Sequence, residues 1–201
     1  VTIVFTQQDG NKVKNGSVVG GHQNNGSGTQ NNVNGPQYNF NVTKGLNYEL
    51  FKLYEKIKVD GIGDPSSNFS DKLQHYLSAQ TDIDIRSLDD KLKDSGRKDL
   101  VILASMLKEN AAKSIMKRQT SKTAQRIYVI LLDQLHYDFM LKVTPLIESE
   151  KEREEVDNKI HEVINEIFDL LGENVLEFTV KDLLGLLFFL GGNCHVRWDK
   201  C

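Results

Sequence analysis

The 201 residues include 39% hydrophobic and 26% charged side chains, a globular balance that excludes fibrous and wholly disordered chains. The 25 basic and 28 acidic residues leave a formal net charge of -3, too even to mark a nucleic-acid or membrane surface by charge alone. The length allows a helical domain of about 150 residues plus an appendage, and the composition along the chain favours that division.

The first residue is Val1, and no basic, apolar and small-residue regions follow in signal-peptide order. This suggests a piece of a longer chain. With only two cysteines, Cys194 and Cys201, a reducing cytoplasm is the expected compartment. Residues 1–45 form a Gly/Asn-rich segment in which Asp9-Gly10, Asn15-Gly16, Asn25-Gly26 and Asn34-Gly35 favour tight turns. Short β-prone pieces lie between them at 2–6, 16–19 and 38–42, the last alternating Tyr38, Phe40 and Val42 as a half-buried strand would. Three readings of this segment stay open: a small hairpin stack or solenoid, a flexible polar linker, and a surface for self-association through stacked amide-rich strands.

From Leu46 the period becomes helical, with Leu46, Leu50, Leu53, Tyr54 and Ile57 on one face. Ser70 is placed to cap a short helix, and another short element follows Ser87. Leu100, Leu103, Met106, Leu107 and Ile115 outline a longer helix over 98–119, and Ser121 caps one bearing Ile127, Leu131, Leu135 and Phe139. Thr144-Pro145 reads as the start of the next helix, whose stripe of Val156, Ile160, Val163, Ile164, Ile167, Leu170 and Leu171 stops at Gly172. Thr179 and Asp182 resemble a capping box opening a last helix that is apolar on nearly every side and ends at Gly191-Gly192. Its apolar run, 183–190, is far short of the roughly 20 residues that span a bilayer. Such a helix must be central or covered by a partner. The fold class expected is all-α, a multi-helix bundle over 46–201 behind an N-terminal segment of short strands and turns.

The sequence offers little for chemistry. Cys194, His195 and Cys201 supply three metal-ligand types but not the paired spacings of structural zinc, and no orienting carboxylate marks a Cys194 nucleophile with His195 as base. An enzyme or metal protein built on those three is the alternative to an interaction module. The charge run at 148–155 alternates signs as on a solvated helix face. Lys113, Lys117, Arg118, Lys122 and Arg126 form one basic cluster without aromatic interleaving, so nucleic-acid contact is not expected. No phosphate loop occurs among the N-terminal glycines. No cofactor and no catalytic set is expected.

Two pieces carry a family resemblance. Asn15-Gly16-Ser17-Val18-Val19-Gly20-Gly21-His22-Gln23, with His22 where Asp is more usual, and the terminal Gly192-Asn193-Cys194-His195-Val196-Arg197-Trp198 behind an apolar helix resemble the C-terminal domain of effector proteins in bacterial ABC three-component conflict systems. The resemblance implies a helical adaptor that tethers an upstream effector to a middle component and an ABC-type ATPase. Asn193, Cys194, His195, Arg197 and Trp198 are the candidate partner-binding residues, since Arg and Trp commonly dominate interface energetics. Trp198 could instead fold back and become a core residue.

Overall fold

The computed structural model describes residues 6–8, 11–13, 38–61, 68–80 and 85–200, with side chains described from Gly45 onward. The chain divides into two compact units, Val1–Gln37 and Tyr38–Cys201. In the first, strands β1 (Thr6–Gln8) and β2 (Asn11–Val13) pair antiparallel with Thr6 opposite Val13 and Gln8 opposite Asn11. Asp9 and Gly10, the expected turn, lie outside the described residues. The β-prone piece at 16–19, and with it the choice between hairpin stack, linker and amide ladder, lies outside the described residues.

The second unit is all-α among the described residues: α1 (Tyr38–Asp60), α2 (Asp71–Leu77), α3 (Leu88–Asp94), α4 (Val101–Lys117), α5 (Lys122–Asp138), α6 (Thr144–Glu148), α7 (Arg153–Leu170) and α8 (Val180–Gly192). No helix among these residues is long and apolar enough to cross a membrane. Capping explains four of the eight starts. Ser70, Ser87, Ser121 and Thr179 each accept a hydrogen bond from a backbone N–H three residues on, and Thr179 with Asp182 completes the capping box.

Two elements differ from expectation. Residues 38–42 are the first turns of α1, not a strand. An alternation of three apolar side chains is a short signal, whereas extending a helix already anchored by Leu50, Tyr54 and Ile57 takes only one further bond per residue. The helix therefore runs through Gly45, where the composition changes. The second difference is at Thr144-Pro145, which does not open the long stripe. Instead α5 passes through a π-helical segment, Phe139–Val143, directly into the short α6, and the Thr144 N–H bonds to the Phe139 carbonyl five residues back. Pro145 has no N–H and its ring crowds the carbonyl four residues earlier, so widening this turn lets the helix continue past it. The break comes at 149–152, where Glu150 has φ 54, and α7 starts separately at Arg153. The charge run is thus solvated as expected, but half of it is a turn.

Helix α8 is central. It lies against α3, α4, α5 and α7, and Leu183 and 186–190 are buried to the last residue. The closest approach is to α4, where a Cβ on Gly185 would stand 2.9 Å from the Leu107 carbonyl oxygen. Buried polar groups fix the periphery. The Gln125 side chain accepts from Ser70 N–H at 2.7 Å and donates to the Asn68 and Gln119 carbonyls, tying α2 to α5. Arg97, also buried, donates to Asp157 at 2.9 and 2.7 Å and holds the first turns of α7 to the α3–α4 junction.

Gly185→Ala should therefore push α4 and α8 apart and destabilise the domain by about 1–3 kcal/mol, the range for overpacked cores. Urea unfolding of the variant measures this, and an unchanged midpoint would remove the α4–α8 contact from its central role.

Candidate functional site

The tail was the strongest sequence candidate, and its path is set at the end of α8. The His195 N–H bonds to the Leu190 carbonyl at 2.9 Å and the Cys194 N–H to the Gly191 carbonyl at 3.2 Å, with Cys194 at φ 63. This is a Schellman stop, in which the residue past the cap turns left-handed. Glycine usually takes that place because a side chain there costs about 1–2 kcal/mol. The helix ends at the glycine pair, as the sequence suggested. Gly191 and Gly192 remain helical, and each is closely approached: a Cβ on Gly191 would meet Trp198, and one on Gly192 would meet the Lys108 side chain.

The turn sends the chain back over α8. Trp198 is 4% exposed, edge-on to Phe139 with centroids 5.7 Å apart and 5.6 Å from the Phe188 ring. Of the two arrangements the sequence left open, the described fold adopts the one in which Trp198 is core. The apolar run then needs no partner to shield it, because the chain's own tail completes the enclosure. Burial within the chain takes Trp198 and His195 out of any surface this fold presents. Asn193, Cys194 and Arg197 remain partly exposed.

Polar contacts pin the same segment from several elements. The Asn193 amide donates to the Tyr76 carbonyl at 2.8 Å, and its own carbonyl accepts from Gln80 N–H at 3.0 Å. Arg86 bridges Asp199 and Asp94 at 2.6 Å each. Arg197 pairs with Glu148, the last residue of α6, and Lys200 with Glu150 just beyond it. The fully buried Lys91 donates to the Gly191 carbonyl at 3.0 Å.

Beneath the tail lies a cluster that sequence reasoning missed. The His195 ring packs 5.1 Å from Tyr76, 5.2 Å from His75 and 5.9 Å from His136, and the Tyr76 hydroxyl donates to Asp133 at 2.7 Å. These residues come from α2, α5 and the tail, so no linear spacing could have revealed them. Burial, and then electrostatic repulsion from His136 and His75, pushes His195 down to about 4. Burial lowers His136 as well, and it raises the Tyr76 phenol, helped by the Asp133 carboxylate.

For metal or covalent chemistry the arrangement offers little. Among the described residues no three His, Cys, Asp or Glu side chains are grouped so as to hold a metal ion. Cys194 is a free, partly exposed thiol while the adjacent His195 is buried. Cys201, the third member of that set, lies outside the described residues. A cleft of about 140 Å³ between α4, α5 and the start of α8 is lined by Ser114, Tyr128, Phe178 and Asp182, and a more open one of about 310 Å³ between α2 and α5 is lined by Ser70, Lys72, Lys122, Arg126 and Val129; the first is below, and the second only at, the roughly 300 Å³ of small-molecule sites. In the basic cluster, Lys113 is paired with Glu109 and Arg126 with Glu49, which weakens it as a phosphate surface.

The described surface is instead notable for apolar side chains. Tyr137, Met140 and Leu141 stand exposed around the π-helical segment, Ile102 and Met106 on α4, and Tyr48 and Phe51 on α1. A family model described as C-terminal domain 9 of the ABC-three component (ABC-3C) systems matches residues 87–198. No curated protein matches the chain, and no solved structure does.

Two outcomes follow from the tail's geometry. Trp198→Ala should remove about 3–5 kcal/mol of stability, as for a buried aromatic; a thermal unfolding curve that superimposes on the wild type would return Trp198 to the surface. The second outcome concerns pH. The unfolded chain protonates His195 near the ordinary 6.5 but the folded chain only near 4, so the unfolded state binds more protons between those values. Stability should therefore fall as pH drops from about 6.5 towards 4, and the fall should be shallower in His195→Gln. Melting temperatures across that window test this, and parallel profiles for the two proteins would contradict it.

Proposed function

The chain belongs to C-terminal domain 9 of the ABC-three component systems, and from that premise we propose that it is a non-enzymatic adaptor within a bacterial conflict system. It tethers an upstream effector to the system's other components, an ABC-type ATPase and a middle component. The system serves antiviral defence in the cytoplasm. The chain itself performs no chemistry and needs no cofactor. The Gly/Asn-rich segment ahead of α1 joins the domain to the effector and adds a surface for association between copies in an assembled complex.

One observation carries the tethering reading. Tyr137 and Leu141 are 59% and 58% exposed, with Met140 between them. At i, i+3 and i+4 these three side chains are neighbours on one helix surface. They sit where the π-helical turn interrupts α5, a local form found often at functional positions. Apolar residues grouped in this way on a rigid element suit docking to a protein rather than turnover of a small substrate. In this reading the tail supports the surface from behind: Phe139, within the same π-helical segment, packs on Trp198.

The test is co-purification of the effector with the ATPase and middle component from cells expressing all three. The double substitution Tyr137→Ser with Leu141→Ser should lower recovery of the complex by about tenfold or more, as at an interface hot spot, while the far-ultraviolet spectrum and melting temperature of the chain stay unchanged. Full recovery with the variant would reject this surface. Turnover by the isolated chain that is lost in His195→Ala would reject the adaptor reading altogether.

A further inference from the structure

Helix α4 has two faces of opposite logic. Ala104, Leu107, Ala111 and Ile115 are buried towards α8. At 100° per residue, the opposite side holds Ile102, Met106, Glu109, Lys113 and Met116 within an arc of about 80°. All five are exposed, Ile102 at 86%. Their spacing is four, three, four, three, the repeat of a coiled-coil seam. The centre of a solvent face is normally polar, yet three of these five residues are apolar. Nothing else in the described unit covers them.

The order of the residues selects the occupant. Read forwards, the inner four are Met106, Glu109, Lys113 and Met116; read backwards, Glu and Lys exchange places between the same two methionines. An antiparallel partner with the same sequence therefore sets Glu109 against Lys113 and Met106 against Met116, and repeats both pairs across a two-fold axis level with Ala111. Parallel pairing would oppose Glu with Glu and Lys with Lys. We propose that α4 is a self-complementary seam through which two copies of this chain pair antiparallel.

Glu109 and Lys113 already form an i, i+4 pair at 2.6 Å, with side chains 64% and 70% exposed. Pairing of two copies joins these into a ring of four alternating charges, flanked on each side by a Met–Met contact. Ile102 extends past the ring over the second copy beyond its Arg118. The same patch meeting itself across a two-fold axis is the usual form of a homodimer interface. Four helical turns make a small one, so the dimer forms in a concentration-dependent way. The inference is independent of the tethering reading and uses a different surface from the π-helical segment.

Sedimentation equilibrium of the 201-residue chain tests the pairing through charge exchange. Wild type should shift from monomer to dimer with rising concentration. Glu109→Lys and Lys113→Glu should each weaken this about tenfold or more, because each opposes like charges across the seam. The double variant should regain wild-type association, and an equimolar mixture of the two single variants should form a mixed dimer. Circular dichroism verifies that each variant stays folded, since all the changes are on the surface. A wild type that is monomeric up to about 1 mM overturns the proposal. So does dimerisation of either single variant at wild-type strength, or a double variant as weak as the singles.

Discussion

Enclosure of α8 is the constraint on which the rest of the domain depends. Its run of Leu and Phe covers nearly the whole circumference, so no single neighbour can shield it. α4 takes one side by sitting close over Gly185, α5 and α7 take others, and the tail closes the last. Each participant has a local device that serves this end. Gly185 omits a side chain where two backbones meet, and Gly191 omits one where the Trp198 ring lies. Cys194 adopts the left-handed turn that reverses the chain.

Much of this could be read in the sequence, for identifiable reasons. Caps at Ser70, Ser87, Ser121 and Thr179 are short-range hydrogen bonds, and short-range chemistry is written in adjacent residues. The stripe of α7 and the apolar character of α8 are likewise periodic signals. What stayed hidden depends on contacts between distant residues. Tyr38, Phe40 and Val42 look like a strand until the helix behind them supplies a template. Thr144-Pro145 looks like a start because the local motif cannot show that a π-helical turn will carry the chain through it. The imidazole cluster unites His75, His136 and His195 only after α2, α5 and the tail have met. Of the tail's candidate partner-binding residues, Trp198 serves the core of its own chain.

The family match runs from Ser87, the cap of α3, to Trp198. These limits contain every element that encloses α8, together with the aromatic residue that closes it. Helices α1 and α2 lie outside the match and pack mainly on α5. The domain thus has an inner part built around one apolar helix and an outer pair attached to it through Gln125 and the Arg126–Glu49 pair. Most of the apolar surface left over after this packing is on helices, at side chains turned away from α8, which is where protein contacts can be added without disturbing the core.

Chain order gives the central helix a further consequence. α8 follows in sequence all four helices that cover it, so during synthesis α3, α4, α5 and α7 exist before the element that unites them. The faces they turn towards α8 stay uncovered until α8 and the tail emerge, and the contacts that finally close the core join residues far apart in the chain. Such topology slows folding and exposes sticky intermediates. A chain truncated before Leu183 would keep most of these helices but lack the one that unites them, so closure of this core waits for synthesis of the segment that runs to Trp198.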